Sequence, residues 1–538
     1  MSVKDYKTSF VKQAAILAMA GLLVRFIGFL YRLPLTNLIG DEGNGIYGRA
    51  YVFYTFLLIL SSAGLPAAIS KMVSERMARN ETANAHRVFR VSFIVSGLAG
   101  LVAAMTLGFG ADMIAAAVDP ADAPSSRYAI MTLAPTVFVV ALMSTFRGYF
   151  QGLRNNIPTA ASQVVEQVFN AVFSVYMAYV LMSYGIEFAA AGGTTGTGVG
   201  AVAGLAVVAV IYFRCRKTYP QIPHTNENPE PVGNIVRELF KTAVPIIAGV
   251  AIFSITNIID MAMVSSRLES AGTFTGEQIN ALYGQLNGKY VVLVTLPVSL
   301  ATALATTVVP HIAAIKVANN QALLHSRINI ALKLTMIISI PAAVGMGVLA
   351  DPILHMLFPR HPGGASLLVV GAASIVFLSL AQITTGMLQG IGKVKIPAVA
   401  AFAGALVKIP INYFLIANPA VNIHGAVIST IACYMVAAAI DLTMLIRYTK
   451  VKIAWNDVFT KPVAASAVMG ICCYMLYYLS QNIIGLGNTL ACLIAVGGGM
   501  LAYLVYMLRI RGITAEDMTN VPAGEKLTAV FRKIGLPI

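Results

Sequence analysis

Two arginines seven residues apart, Arg25 and Arg32, interrupt the mostly apolar stretch "LVRFIGFLYRLPLTNLIG" at residues 23–40. On a helix that spacing places both guanidinium groups on nearly the same face, about 10 Å apart along the axis. Four more basic residues fall inside apolar segments: Arg49, Lys289, Lys333 and Lys408. The acids inside such segments are Glu166, Asp260 and Asp441, with Asp112 near a segment end. Centring a charge in lipid costs roughly 2.5–3.5 kcal/mol even on a lenient scale, so these groups must face protein or water. Arg25, Arg32, Arg49 and Lys289 all fall in the outer half or middle of their segments, where Asp260 is the acid available to them. Several cations facing one acid make a site for an anion, and guanidinium groups hold phosphate oxygens two at a time. The structural alternatives are snorkelling of Arg32 and Arg49 to the headgroups and an ion pair of Arg25 with Asp260. Lys333, near the inner end of its segment, reads as an interface anchor.

A second polar group sits in "LVKIPIN", where Lys408 precedes Asn412 by one helical turn. An ammonium there either pairs with Asp260 or Asp441 or takes the place of a bound cation. No enzyme signature accompanies these residues. The seven histidines are scattered without paired ligand spacing, and the five cysteines form no CxxC pair. The run "GGTTGTGVG" at 192–200 lacks the lysine of a phosphate-binding loop and opens an apolar segment. It reads as small residues for close helix packing. The chain is therefore expected to need no cofactor and no metal.

The elements that must position these charges are membrane helices. Of 538 residues, 58% are hydrophobic and 11% charged, against about 25% charged in soluble domains. Crossing the hydrocarbon takes about 20 residues. The runs that qualify fall at about 11–38, 46–72, 88–117, 126–150, 158–183, 188–213, 239–265, 281–314, 326–350, 365–390, 396–417, 424–447, 461–482 and 487–509. The expected fold is an all-α integral membrane protein of about 14 transmembrane helices. With a cytoplasmic N-terminus, most of the 37 basic residues fall in inner segments, and only Arg127, Arg267 and Arg360 fall in outer loops. That is the positive-inside pattern; it explains the net charge of +15 without nucleic acid and predicts both termini inside.

Word pairs recur at a near-constant offset. "IYG" at 46–48 precedes "LYG" at 282–284, "ADMIAAAVDP" at 111–120 precedes "ADPILHMLFP" at 350–359, and "GYFQG" at 148–152 precedes "GMLQG" at 386–390. These predict two six-helix repeats, an N-lobe over 1–213 and a C-lobe over 239–450. A cytoplasmic linker at 214–238 joins them, helices 13 and 14 occupy 451–510, and a tail follows at 511–538. An even repeat unit relates the copies by an axis along the membrane normal, a transporter arrangement.

This plan, the opening "RFIGFLYRLPLTNLIGDEGNGIYG" and the segment "RGYFQGLRNNIPTAASQVVEQ" resemble the MOP exporter superfamily over nearly the whole chain. Within it, they are similar to the polysaccharide-biosynthesis and stage V sporulation B branch, which includes MurJ-type lipid II flippases. The resemblance implies two lobes around a central cavity and movement of a lipid-linked oligosaccharide diphosphate by alternating access in a bacterial cell membrane. Membrane lipids and cell-wall synthesis enzymes are the partners it implies. MurJ-type proteins place functional arginines in helix 1, near the start of helix 2 and in helix 8, which Arg25, Arg49 and, as a lysine, Lys289 match. Their aspartate after the second helix-1 arginine is Leu33 here. Some have a sodium site at helices 7, 11 and 12, which Asp260 matches loosely and in which Lys408 stands in place of a ligand. Two other classes remain open: a MATE-type cation or drug antiporter, which should show acids and aromatics to its substrate, and a non-transporting scaffold.

Overall fold

Residues 3–118, 123–216, 229–317 and 320–513 are described in the computed structural model, and every regular element among them is a helix. The chain divides into two compact units, Met1–Gly288 and Lys289–Ile538. The first holds α1 (Val3–Leu58), α2 (Leu65–Ala78), α3 (Thr82–Phe109), α4 (Ala111–Val118), α5 (Ala123–Gly152), α6 (Ile157–Leu181), α7 (Ile186–Arg216), α8 (Val232–Ser270) and α9 (Gly276–Gly284). The second holds α10 (Val291–Val317), α11 (Gln321–Val348), α12 (Ala350–Leu357), α13 (Ala365–Gly371), α14 (Ala373–Gly390), α15 (Lys395–Ile416), α16 (His424–Thr449), α17 (Lys461–Tyr478) and α18 (Asn488–Arg509).

Twelve stretches among the described residues are long and apolar enough to cross a membrane. Two features account for the difference from fourteen. The stretch Met19–Ala78 runs through both of the first two expected crossings, and α8, where the seventh was expected, is not among the twelve. The outward faces are apolar, as lipid requires: Phe109, Phe414 and Tyr179 are exposed on spans. Where two helices approach most closely the facing residues are small, which lets backbones come near. The glycine-rich run of α7 packs this way, with Gly192 against Met177, Gly196 against Asn170 and Ser174, and Gly200 against Glu166.

The first crossing and the second are separated by a single non-helical residue. Gly40 has φ 67° and ψ −171°, a conformation open essentially to glycine alone. The turn is stapled by Asn44, which donates to the Gly40 carbonyl at 2.6 Å. A π-helical turn at Ile59–Ala63 then leads into α2, where Pro66 occupies the first turn. A proline there forfeits no helical hydrogen bond.

The repeated "QG" words do the same packing work in each unit. Gly148 and Gly152 of α5 lie against Pro66, Ser70 and Val73 of α2. Gly386 and Gly390 of α14 lie against Ala305, Val309 and Ile312 of α10. Both the glycines and their partners recur at the spacing of the repeated words, so the repeat is one of structure as well as of letters.

Candidate functional site

Arg25 and Arg32 lie on α1 before the Gly40 break, and Arg49 lies on it after. Arg25 is exposed. Arg32 is half-buried and sits over the ring of Tyr47 at 4.4 Å, with Tyr31 and Tyr51 each at 5.9 Å. Tyr47 and Tyr51 are themselves stacked, with centroids 5.4 Å apart. Stacking engages the faces of a guanidinium; the Tyr31 hydroxyl takes one hydrogen bond from the in-plane N–H edge, and the rest of that edge can serve a planar or tetrahedral anion. Among the described residues, Arg32 is surrounded by tyrosines and meets no carboxylate.

Arg49 is fully buried. It donates to the side-chain carbonyl of Asn280 on α9 and lies 5.3 Å from the ring of Tyr283. Tyr283 is within electrostatic reach of both Arg49 and the half-buried Asp260 of α8, and it hydrogen-bonds Asn287. Here the early part of α1 after the break and α9 meet backbone to backbone. A Cβ on Gly45 would overlap the carbonyl of Asn280, and one on Gly284 would overlap that of Asp41. Gln285 adds a hydrogen bond to Asp41 at 2.9 Å. The first unit thus brings Arg49 and Asp260 around one tyrosine, with Arg32 on a neighbouring aromatic group.

Lys289 belongs to the second unit. It is buried, and its ammonium donates to the backbone carbonyls of His361 and Gly363 beneath the ring of Phe358. Those partners hold the loop between α12 and α13. Lys408 and Asn412 share one buried face of α15. That helix runs antiparallel to α16, with Gly404 against Cys433 and Gly425 against Leu415 and Ile416. The register sets Asp441 some 12–18 Å along the axis from Lys408, at 1.5 Å per residue. Asp441 instead accepts from Thr385 of α14 at 2.9 Å, so the Lys408–Asp441 pairing gives way to a Thr385–Asp441 one.

Two polar networks were not singled out from the sequence. Arg76, at the end of α2, is nearly buried and grips Glu230 with both Nε and Nη2, at 3.0 and 2.9 Å. Its Nη2 also reaches Glu238 of α8 at 2.7 Å, and Nη1 donates to the Met72 carbonyl. In sequence Arg76 is one of many loop cations, and its acids lie more than 150 residues on. Arg147 of α5 likewise pairs with Glu166 of α6 at 2.6 Å and with Ser162. An acid inside a span was the available signal for that partner.

A helical fold with twelve apolar spans and ionisable side chains held among them is that of a multi-pass membrane protein, and comparison with known proteins gives its family. The model of the polysaccharide biosynthesis protein family matches residues 10–316, more than half of the chain, and the MatE model matches 245–414. The chain belongs to the polysaccharide biosynthesis protein family. It is 28% identical to the lipid II flippase MurJ of Bacillus subtilis (strain 168) over 99% of each chain. It is 26% identical to stage V sporulation protein B of the same organism, over 96% of this chain and 98% of the relative. Among solved structures, MurJ in an inward closed conformation superposes with a TM-score of 0.69 at 16% identity, covering 92% of this chain and 98% of that one. An inward-facing multidrug resistance MATE transporter gives 0.65 at 18% identity, covering 82% and 98%.

Proposed function

We propose that the protein is a flippase that moves an undecaprenyl-diphosphate-linked cell-wall precursor, lipid II or a polysaccharide unit, from the inner to the outer leaflet by alternating access. The observation that carries this reading is Arg32 on its tyrosine platform, with Arg25 two turns away on the same helix. A guanidinium stacked on rings keeps its charge and its donor edge for a ligand, whereas one neutralised by a carboxylate does not. A diphosphate carries the matching charge and geometry. Arg49 is the third cation of the set. Its engagement with Asn280 locks the contact between α1 and α9, and substrate passage would require that contact to part. Lys289 contributes by fixing the loop at 358–363, and Asp260, Lys408 and Asn412 are assigned to coupling or to charge pairing between helices. The proposed orientation has both termini in the cytoplasm, and the proposed lobes are 1–213 and 239–450.

The MatE match at 245–414 supports a second reading, a cation or drug antiporter. The two separate in one experiment. Purified protein in vesicles should translocate fluorescent lipid II, and depletion in cells should accumulate a diphosphate-linked precursor on the inner leaflet. Export of cationic dyes with no lipid-linked precursor accumulating would replace the flippase by the antiporter.

A further inference from the structure

Asp441 takes no part in the anion site. Asp441 lies on α16, eight residues before its end at Thr449, or about 12 Å along the axis. It is 1% exposed. Its Oδ2 accepts from Thr385, and among the described residues its Oδ1 has no hydrogen-bond partner. Ala381 and Ile383 of α14, and Ala438, Leu442 and Leu445 of α16, belong to the apolar cluster of this region.

Among the described residues, the contacts of the carboxyl include no cation from the helices packed against α16. Neither α13 nor α14 carries an ionisable side chain. On α15 the cations are Lys395, at its exposed beginning, and Lys408, whose register lies toward the far end. On α11 the titratable groups are His325, which bonds the Thr449 carbonyl, Arg327, and the buried Lys333, which that register sets at the level of Asp441 but which is not among the contacts of its carboxyl. The other groups of α16 itself, His424, Cys433, Tyr434, Arg447 and Tyr448, are at least one turn from Asp441. An ionised carboxylate with one hydroxyl donor and an orphaned oxygen costs several kcal/mol in such surroundings, more than the neutral acid, which buries an unpartnered O–H but no charge.

We infer that Asp441 is a proton-binding site, a carboxylic acid while α14 and α16 close over it, which ionises by giving its proton to water when those helices part. Thr385 is its positioning residue: the hydroxyl holds Oδ2 and sets the carboxyl between the two helices. A proton bound and released once per cycle would supply the coupling ion for the transport reading, on which this role rests. Proton occupancy itself does not depend on that reading.

The test needs no substrate. Infrared difference spectra of the reconstituted full-length protein at neutral pH should show a protonated-carboxyl C=O band that is absent from Asp441→Asn. Thr385→Val should retain the band and move its frequency, because it removes the hydrogen bond and preserves the shape. If Asp441→Asn does not fold, the Thr385→Val shift assigns the band. A wild-type spectrum with no such band, or a band that neither variant alters, overturns the inference. So does a band that vanishes on adding sodium at constant pH, which would mark a metal-cation site. Loss of lipid II movement with the band intact would instead count against the flippase reading alone.

Discussion

Arg25 and Arg32 have the same chemistry and different surroundings, and the difference predicts different outcomes. Arg25 is exposed, so Arg25→Ala should change stability by no more than about 0.5 kcal/mol while abolishing complementation at normal expression. Arg25→Lys should recover activity only in part, since a lysine lacks the two-pronged donor edge. Full activity of Arg25→Ala would remove the anion site. Arg32→Ala also loses its stack on Tyr47, worth about 1–2 kcal/mol, and should lower the thermal midpoint measurably; its effect on activity should be the milder of the two. Lys408 makes a separate prediction. Its buried ammonium repels any cation brought close in a low-dielectric region, so transport should be nearly indifferent to sodium and respond to membrane potential or pH. Lys408→Ala should lose activity, and high sodium should restore part of it by supplying the missing charge. Steep sodium dependence of the unmodified protein in a liposome flux assay would leave Lys408 as a structural partner.

At the level of elements, two glycines decide whether helices meet. Gly40 occupies backbone space closed to other residues, so Gly40→Ala should cost about 1–3 kcal/mol and loosen the Asn44 staple. Gly45 lies where any Cβ meets the Asn280 carbonyl. Gly45→Ala must push α1 and α9 apart, at a cost of about 1–3 kcal/mol, and takes Arg49 away from Asn280. The expected readout is a lower unfolding temperature together with faster labelling of a cysteine placed at Asn280. An unchanged midpoint and labelling rate would mean that this contact does not hold the two helices together. The paired glycines of "GYFQG" and "GMLQG" explain why those words recur, since each accommodates the backbone or a branched side chain of a neighbouring helix.

At the scale of the whole chain, the first compact unit extends to Gly288, well past the 213 at which the repeat places the end of its first copy. The fork of Arg76 on Glu230 and Glu238 is one reason, because it ties the segment entering α8 to the end of α2. Breaking it with Arg76→Ala strands two partly exposed carboxylates. The expected loss is about 1–3 kcal/mol, below that of a fully buried pair because water screens both acids. Limited proteolysis near residue 230 should accelerate, and an unchanged digestion pattern would show that the fork does not hold this segment. Tags at the two ends should be protected together in right-side-out cells, as an even number of crossings demands; a C-terminal tag labelled from outside would overturn the proposed orientation.

The sequence by itself determined the class of this protein. Apolar runs of sufficient length admit only helices in lipid, because every backbone polar group must be satisfied within its own segment. Words such as "GYFQG" declare a repeat for the local reason that a backbone crossing needs glycine wherever it occurs. The charged residues inside spans were legible too, since few side chains there can be accidental. Their partners were not. Whether Arg32 meets a tyrosine or a carboxylate, and whether Asp441 answers to Lys408 or to Thr385, depends on helix rotation and register, and a uniformly apolar surface does not specify either. Arg76 and its acids lie more than 150 residues apart, and only the packing of α8 across Gly64 and α2 brings them together. Composition sets which groups must be accommodated in the membrane, and the close contacts between small-residue faces decide how each one is.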